Sequence, residues 1–147
     1  MSKESVVRVL LGPYDHYLSQ SDIAQFFGVS WKVSSKSNRI GYRLEGPDFE
    51  FSSVARTKPP ENGGDPSNIM DYGCPIGRIN ICGQTPTVLL ADGPSSTGYI
   101  CPFTVVTSDL RKVGQARPGD LIRFAIASEN DVVIQDDLEE RFESILA

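Results

Sequence analysis

The chain has 147 residues, a length that favours a single domain with a core of its own. Hydrophobic residues make up 39% and charged residues 22%, ordinary values that exclude a disordered, collagen-like or coiled-coil chain. The net charge of −5 is uneven: residues 129–143 hold seven acids and one base, and the remainder carries +1. Neither part has the basic stripe of a nucleic-acid binder, so we expect no nucleic-acid partner.

Two further absences narrow the class of protein. No stretch approaches the roughly 20 apolar residues of a membrane-spanning helix, and residues 1–5 lack the apolar core of a signal peptide. We therefore expect a cytoplasmic protein without a membrane partner. Three cysteines, Cys74, Cys82 and Cys101, and the single histidine, His16, fit no zinc-ligand spacing. The sequence predicts no metal site and reduced, partly buried thiols.

The first half of the chain alternates strand patterns with one helix pattern. Residues 6–11 are apolar and β-branched and stop at Gly12-Pro13, which predicts a first strand. N-cap residues at 19–22 precede an apolar face that closes at Gly28, which predicts a helix of two turns. After a short strand at 31–33, residues 39–44 alternate with period two. That alternation predicts Ile40, Tyr42 and Leu44 on one face and Arg39, Gly41 and Arg43 on the other.

The second half begins with a segment rich in proline and glycine. Residues 57–68 predict a long loop, and loops of this length in a compact domain are usually functional or disordered. The following patterns predict strands at 78–82, 87–91, 100–107 and 121–127, and a short helix beginning at 108. An acidic tail, residues 129–147, includes a helical pattern from 137 to 146. The fold class is therefore all-β, a barrel-like or sandwich domain with two or three short helices over residues 1–128.

Three longer strings resemble one family. Residues 37–46, SNRIGYRLEG, resemble the S-[DN]-R-[MI]-G-Y-R-L-E-G signature of the biotin-dependent carboxyltransferase domain. Residues 65–72, DPSNIMDY, and 76–80, IGRIN, resemble the corresponding segment of its urea carboxylase branch. Residues 91–102, ADGPSSTGYICP, followed by the segment 108–120, are similar to that branch's closing stretch. The three strings occur in the family's order, and the resemblance extends over residues 6–124.

This resemblance implies a cyclophilin-like β barrel and a specific chemistry. The relatives include the carboxyltransferase of urea amidolyase, allophanate hydrolase subunit 2-like proteins and one of the 5-oxoprolinase subunits. In the urea carboxylase branch the domain moves a carboxyl group from carboxybiotin to urea and yields allophanate. The family's domain is about twice as long, so the resemblance implies its second half. The expected partners are the missing half, a biotin carrier domain and urea or a similar amide, and a homodimer would also hide apolar surface.

The resemblance also assigns candidate residues to the reaction. Arg39 is the candidate that stabilises developing negative charge, because a guanidinium forms bidentate hydrogen bonds with a carboxylate. Asp71 is the candidate urea anchor with Asn68 beside it, since urea offers four N–H donors. For Asn68 and Asp71 the structural alternative is capping of their own loop.

The other candidate residues would line the biotin pocket or bind substrate, and each has a structural alternative in packing, a surface ion pair or an ordinary hairpin. They are Gly41, Tyr42, Arg43, Tyr72, Asp92, Gly98, Tyr99 and Lys112. Biotin would be carried on another domain or chain, and no segment resembles an ATP-binding site. The second functional hypothesis is a diverged, non-catalytic cyclophilin-like module that binds or regulates another protein. Thr97 and Arg111 favour that alternative, because the family usually has glycine and tryptophan at these positions.

Overall fold

In the computed structural model, residues 3–12, 14–38, 40–58, 64–73, 76–90 and 96–127 are described. Among them are nine strands: β1 Glu4–Leu11, β2 Ser30–Val33, β3 Gly41–Glu45, β4 Asn68–Gly73, β5 Arg78–Cys82, β6 Thr85–Leu89, β7 Ser96–Tyr99, β8 Phe103–Val105 and β9 Leu121–Ile126. The α-helices there are α1 Gln20–Gly28, α2 Ser53–Arg56 and α3 Leu110–Gly114, with 3-10 turns at Asp15–Tyr17 and Thr107–Asp109. No helix within these ranges is long and apolar enough to cross a membrane.

Seven of the strands form a closed barrel in the order β1-β8-β5-β6-β3-β2-β9. Neighbouring strands are antiparallel except β1 and β9, which run parallel and close the barrel from Glu4↔Leu121 to Val9↔Ile126. The other two strands, β4 and β7, form a separate antiparallel ribbon. The closed all-β barrel with short helices that the resemblance implied is thereby confirmed.

Aromatic rings fill the barrel where α1 covers it. Phe26 of α1 stacks on Phe103 and Phe124, with ring centroids 3.9 and 4.5 Å apart. Trp31 of β2 is fully buried, and its Nε1 donates to the Phe26 carbonyl at 3.0 Å. Aromatic rings bury large apolar areas, and an indole N–H inside a core needs an acceptor. The contact therefore fixes α1 on the barrel through both packing and a hydrogen bond.

The start of α1 also holds the segment that follows β3. Ser19 and Asp22 form a reciprocal capping box, as the N-cap pattern of the sequence predicts. The buried Asp22 carboxylate also accepts hydrogen bonds from the backbone N–H groups of Glu50 and Phe51, each at 2.8 Å. Phe51 has a φ of +66°, which a non-glycine residue rarely adopts. The carboxylate thus stabilises an unusual backbone conformation in a distant loop.

Several predicted boundaries are wrong, and each has a local cause. The strand predicted at 39–44 begins at Gly41, because Asn38 Oδ1 accepts from the Ile40 N–H and forms a turn. Ile40 consequently does not share a face with Tyr42 and Leu44. Of the strand predicted at 100–107 only Phe103–Val105 form a strand, β8, because Pro102 just before it has no N–H for a ladder. The predicted tail helix at 137–146 lies outside the described residues.

The largest correction concerns residues 68–73. The sequence predicted that Asn68, Asp71 and Tyr72 follow a loop as exposed positions, but they lie in strand β4. Asn68 is paired with Tyr99 and Tyr72 with Thr97, and the register shifts between the two pairs. The partner strand β7 is far away in sequence, so the local pattern of polar residues gave no sign of this pairing. The part of the predicted long loop at 59–63 lies outside the described residues.

Candidate functional site

A groove on the outside of the barrel brings together several of the candidate residues. It has a volume of about 300 Å³ and lies across β3, β6 and β5, beside Tyr99 of β7. We call it the outer groove; residues that line it include Gly41, Arg43, Asn80, Cys82, Thr87 and Tyr99. A site at this place joins the barrel wall to the β4-β7 ribbon.

The strand periodicity explains why these side chains meet. Ile79 and Ile81 of β5 are fully buried in the core, so Asn80 and Cys82 between and beyond them point outward. Val88 of β6 is likewise buried, which turns Thr87 to the outer face. Asn80 and Thr87 are direct neighbours in the β5-β6 register. Two adjacent strands therefore supply a polar wall to the outer groove.

Gly41 allows β3 and β6 to approach closely at this wall. A Cβ at position 41 would lie 2.5 Å from Cγ2 of Thr87 and 3.1 Å from the Val88 carbonyl oxygen. Real Cβ atoms essentially never come within 2.5 Å of another atom, so only glycine fits without a shift. Arg43, two residues further along the same face, has an exposed side chain that lines the groove.

Tyr99 and Cys82 form a polar pair at the opposite side of the groove. A hydrogen bond between the Tyr99 hydroxyl and the Cys82 thiol is the largest of the influences that raise the pKa of Tyr99. The charges of Cys82 and Asp65 and partial burial act in the same direction. Tyr99 therefore remains a neutral O–H group at physiological pH, able to donate or accept a hydrogen bond.

Ser67 anchors the start of β4 beside this pair. Its Oγ accepts from the Gly83 N–H at 2.9 Å, and its carbonyl accepts from the Ile100 N–H at 2.9 Å. The Asp65 carboxylate accepts from both the N–H and the hydroxyl of Ser67. These two hydrogen bonds are the main reason that the pKa of Asp65 is lowered. Asp65 thus caps its own loop. From the sequence, this structural role is the alternative for Asn68 and Asp71.

The candidate residues divide into four groups in the structure, and three of them are as follows. Gly41, Arg43 and Tyr99 line the outer groove, and Gly98 precedes Tyr99 in β7. Asn68, Asp71 and Tyr72 have their backbone in β4, which is paired with β7, and their side chains lie outside what the structure describes. Arg39 and Asp92 lie outside the described residues.

Two other candidates lie away from the groove. The Tyr42 hydroxyl donates to the Gly114 carbonyl at 3.1 Å, and the ring lines a separate cavity of about 410 Å³. Lys112 contacts the opposite part of the barrel, where its Nζ donates to the Val6 carbonyl at 3.2 Å and lies 3.5 Å from Asp109. Both side chains therefore have structural contacts, and neither lines the outer groove.

Sequence reasoning did not single out Asn80, Cys82 or Thr87. The period-two pattern of residues 78–82 carried the necessary signal, because it separates two isoleucines from Asn80 and Cys82. Among the described residues no three His, Cys, Asp or Glu side chains are placed to hold a metal ion. The chemistry that the described lining residues supply is thus hydrogen bonding, one guanidinium cation and a thiol.

Comparison with known proteins identifies the family. The profile described as "Carboxyltransferase domain, subdomain A and B" matches residues 1–126. The chain belongs to this carboxyltransferase family. It is 40% identical over 125 residues to the urea amidolyase of Saccharomyces cerevisiae, an alignment with 84% of this chain and 7% of that protein. It is 28% identical over 142 residues to a 5-oxoprolinase subunit of Escherichia coli, with 95% of this chain and 42% of that protein.

Solved structures agree with this carboxyltransferase assignment. The crystal structure of the Kluyveromyces lactis urea carboxylase superposes with a TM-score of 0.82 at 36% identity. The superposition covers 95% of this chain and 12% of that one. The urea amidolyase of the same yeast gives the same TM-score and identity, with 8% of its chain covered. The carboxyltransferase chain described here therefore spans a small share of the length of these relatives.

Proposed function

We propose that this carboxyltransferase chain contributes the outer groove to a site that moves a carboxyl group from carboxybiotin to a nitrogen of urea, yielding allophanate. The observation that carries the proposal is the convergence of Gly41, Arg43 and Tyr99, three residues that the family resemblance selected, on one groove. The names of the relatives, urea amidolyase and urea carboxylase, support urea as the acceptor.

The groove suits the reactive ring of biotin in size and in charge. A volume of about 300 Å³ is at the lower end of small-molecule sites, which matches a bicyclic ring rather than a whole cofactor. Bound biotin supplies a carboxyl group on a ring nitrogen. Arg43 would donate charge-assisted hydrogen bonds to that carboxyl group and to the ureido carbonyl oxygen, which free biotin also carries, and the Tyr99 hydroxyl would orient the ring.

The acceptor would be held by the β4-β7 ribbon. Asn68 and Tyr72 are paired with Tyr99 and Thr97 in the ribbon, so the backbone of the urea candidates runs beside the groove. We assign Asp71 and Asn68 as the anchor of the urea N–H groups, and Tyr72 as a wall of the pocket. Arg39, between two residues that line the groove, would be the second cation. Placing both reactants in one groove supplies proximity and orientation.

Other parts of the enzyme would complete the site. The relatives are far longer than this chain, which supports a second half of the carboxyltransferase domain and a biotin carrier domain as partners. We assign this chain to the second half of the domain. Full transfer therefore requires those partners, whereas binding of the biotin ring and of urea to the groove is a property of the chain itself.

Amide chemical shifts test the proposal directly. We expect free biotin at millimolar concentration to shift the amides of Gly41, Arg43 and Tyr99, and urea to shift those of Asn68 and Asp71. Arg43→Gln should weaken biotin binding about tenfold, the value of one charge-assisted hydrogen bond.

The matched control is Arg123→Gln, which changes an exposed arginine on β9 and should leave both titrations unchanged. Shifts confined to Tyr42 and the second cavity would contradict the assignment of the groove. Absence of any shift with either ligand would favour the non-catalytic module instead.

A further inference from the structure

The side chain of Asn80 is the one feature of the outer groove whose chemistry is incomplete within the described residues. It is 9% exposed, and its Oδ1 is buried without a hydrogen-bond partner among the residues described. Asn80 lines the groove from the middle of β5. Its unpaired oxygen is therefore a buried acceptor at the wall of a cavity, and not an atom at the surface.

A buried oxygen without a hydrogen-bond partner lowers the stability of the folded chain. The great majority of buried polar side-chain atoms in folded proteins have a partner, because burial without one forfeits the hydrogen bonds made in water. The two neighbours in β5, Ile79 and Ile81, fit the core without any such cost. The pairing residue on β6, Thr87, has a small side chain opposite Asn80 and lines the same groove. The position therefore suits a donor that comes from a ligand.

The surroundings narrow the chemistry of that donor. Within the described lining, Arg43 supplies only N–H donors, and the Tyr99 hydroxyl is bonded to the Cys82 thiol. A ligand that hydrogen-bonds to both Arg43 and the Asn80 oxygen must carry an acceptor oxygen beside an N–H. Ureas and cyclic ureas have this pair of groups on adjacent atoms.

We propose that Asn80 Oδ1 accepts a hydrogen bond from a urea-type N–H and that this contact selects N–H-bearing ureas for the groove. The inference rests on the proposed function, since it names the contact by which the same groove recognises its ligand. Both the acceptor urea and the ureido ring of biotin carry the required group. In either case an analogue without any N–H leaves the Asn80 oxygen unpaired and binds more weakly.

Two pairs of ligands and two variants test the contact. The pairs are 2-imidazolidinone with its 1,3-dimethyl derivative, and urea with tetramethylurea. In each pair the second compound keeps the carbonyl group and has no N–H. We expect the wild-type chain to bind the N–H member about tenfold more tightly, the value of one buried hydrogen bond that would otherwise be left unmade. Asn80→Leu should abolish that preference, and Asn80→Asp, which keeps an acceptor in place, should retain it.

A stability readout separates a ligand contact from a structural one. Asn80→Leu removes a buried unpaired oxygen, so its melting temperature should rise above that of the wild type. The matched control is Gln84→Leu, because both atoms of that amide bond to the Phe49 backbone at 2.6 and 3.0 Å. That variant should melt earlier and keep the preference for N–H ligands. A lower melting temperature of Asn80→Leu together with an unchanged preference would overturn the proposal.

The outcomes distinguish this contact from the proposed function. If biotin shifts its expected amides and urea shifts its own equally in the wild type and in Asn80→Leu, the carboxyltransferase role stands and the Asn80 contact is wrong. If N–H ureas bind through Asn80 while Arg43→Gln changes nothing and biotin does not bind, the contact stands and the role is wrong. The ligand whose binding is weakened by Asn80→Leu, urea or biotin, is the one that uses Asn80.

Discussion

Adjacent residues of β3 serve different parts of the molecule, because side chains of a strand alternate between its two faces. Gly41 and Arg43 line the outer groove, whereas the hydroxyl of Tyr42 between them donates to the Gly114 carbonyl next to a second cavity. A sequence motif that matches a family over all three positions does not show this division. The resemblance selected the right strand, and only the geometry separates the groove residues from the packing residue.

Gly41→Ala should destabilise the barrel at the groove. The added methyl group would lie 2.5 Å from Thr87 Cγ2 and 3.1 Å from the Val88 carbonyl, so β3 and β6 must separate. Overpacking of this kind costs about 1–3 kcal/mol, which exceeds the gain from replacing a glycine inside a strand. Urea denaturation of the two proteins measures the change in the free energy of unfolding.

Gly28→Ala is the control for the Gly41 variant. A Cβ at Gly28, the last residue of α1, would have no atom within 4 Å. Alanine favours a helix over glycine by up to about 1 kcal/mol, so this variant should be neutral or slightly more stable. Equal effects of the two substitutions would contradict the close approach at Gly41.

At the scale of elements, local periodicity predicted most of the barrel. The strand at 78–82 has the predicted bounds, and the alternation at 121–127 and the capping residues at 19–22 led to β9 and α1. The strand that the sequence did not predict depends on a partner strand that is distant in the sequence. β4 contains Asp71 and Gly73 and begins after a proline-rich segment, and it is held by pairing with β7. The four-residue α2 has too few turns for a periodic pattern, and no part of the sequence indicated it.

The sequence also predicted part of the candidate site. The motifs gave Gly41, Arg43 and Tyr99, since a resemblance transfers residue identities together with their order. Asn80 and Thr87 were missed because their importance comes from the β5-β6 register, which places them side by side. Lys112 was selected from its position in a matching string, and the contact that holds it, to Val6 of β1, joins residues over a hundred positions apart.

An ion cluster joins β1 to α3. The Asp109 carboxylate accepts from the Arg8 backbone N–H at 2.8 Å and from Nε and Nη2 of Arg8 at 2.9 Å, with Lys112 Nζ at 3.5 Å. Burial by itself raises the pKa of the Asp109 carboxyl. The hydrogen bonds from Arg8 and the charges of Arg8 and Lys112 outweigh it and hold this pKa below its usual range.

Asp109→Asn should therefore lower stability in a pH-dependent way. Its loss at pH 7 should be about 2 kcal/mol, the value of hydrogen bonds to a charged group. A carboxyl whose folded pKa is depressed stabilises fully above its unfolded pKa of about 3.9, and that contribution disappears as the pH falls through the lower folded value. The difference between wild type and variant should shrink below about pH 4. Denaturant unfolding measured from pH 7 to pH 3 checks this.

Lys112→Met is the control for the ion cluster. The Lys112 side chain is 42% exposed, so its loss should cost far less than that of Asp109, since exposed ion pairs contribute little. Binding of biotin and urea should be unchanged, because Lys112 contacts β1 and not the outer groove. Loss of ligand binding in Lys112→Met with an unchanged free energy of unfolding would restore this lysine to the site.

At the scale of the whole molecule, the two ends of the matched region close the barrel. β1 and β9 pair in parallel along six residues, and Lys3 donates to the Asp120 carboxylate across 117 positions of sequence. The family match covers residues 1–126, which include every barrel strand described. Barrel closure therefore depends on contacts of very high sequence separation, a topology that folds slowly compared with helical domains.

Truncation at either side of β9 tests this dependence. A chain that ends at residue 119 lacks β9 and leaves one edge of β1 and one edge of β2 unpaired. Exposed strand edges and an open core should then replace the cooperative transition by gradual unfolding and aggregation. A chain that ends at residue 127 keeps all barrel strands and changes the net charge from −5 to +1. Its midpoint in urea should stay close to that of the full chain, since every barrel strand described is retained.

The second truncation also decides between the two places where the apolar residues of the tail could pack. If they pack on a partner, the chain that ends at 127 keeps its free energy of unfolding and loses only association, measured by sedimentation. If they pack on this barrel, the same chain loses the free energy of the buried side chains, about 1.5–3 kcal/mol for each leucine or phenylalanine. A cooperative, fully stable chain ending at residue 119 would contradict the closure by β9 altogether.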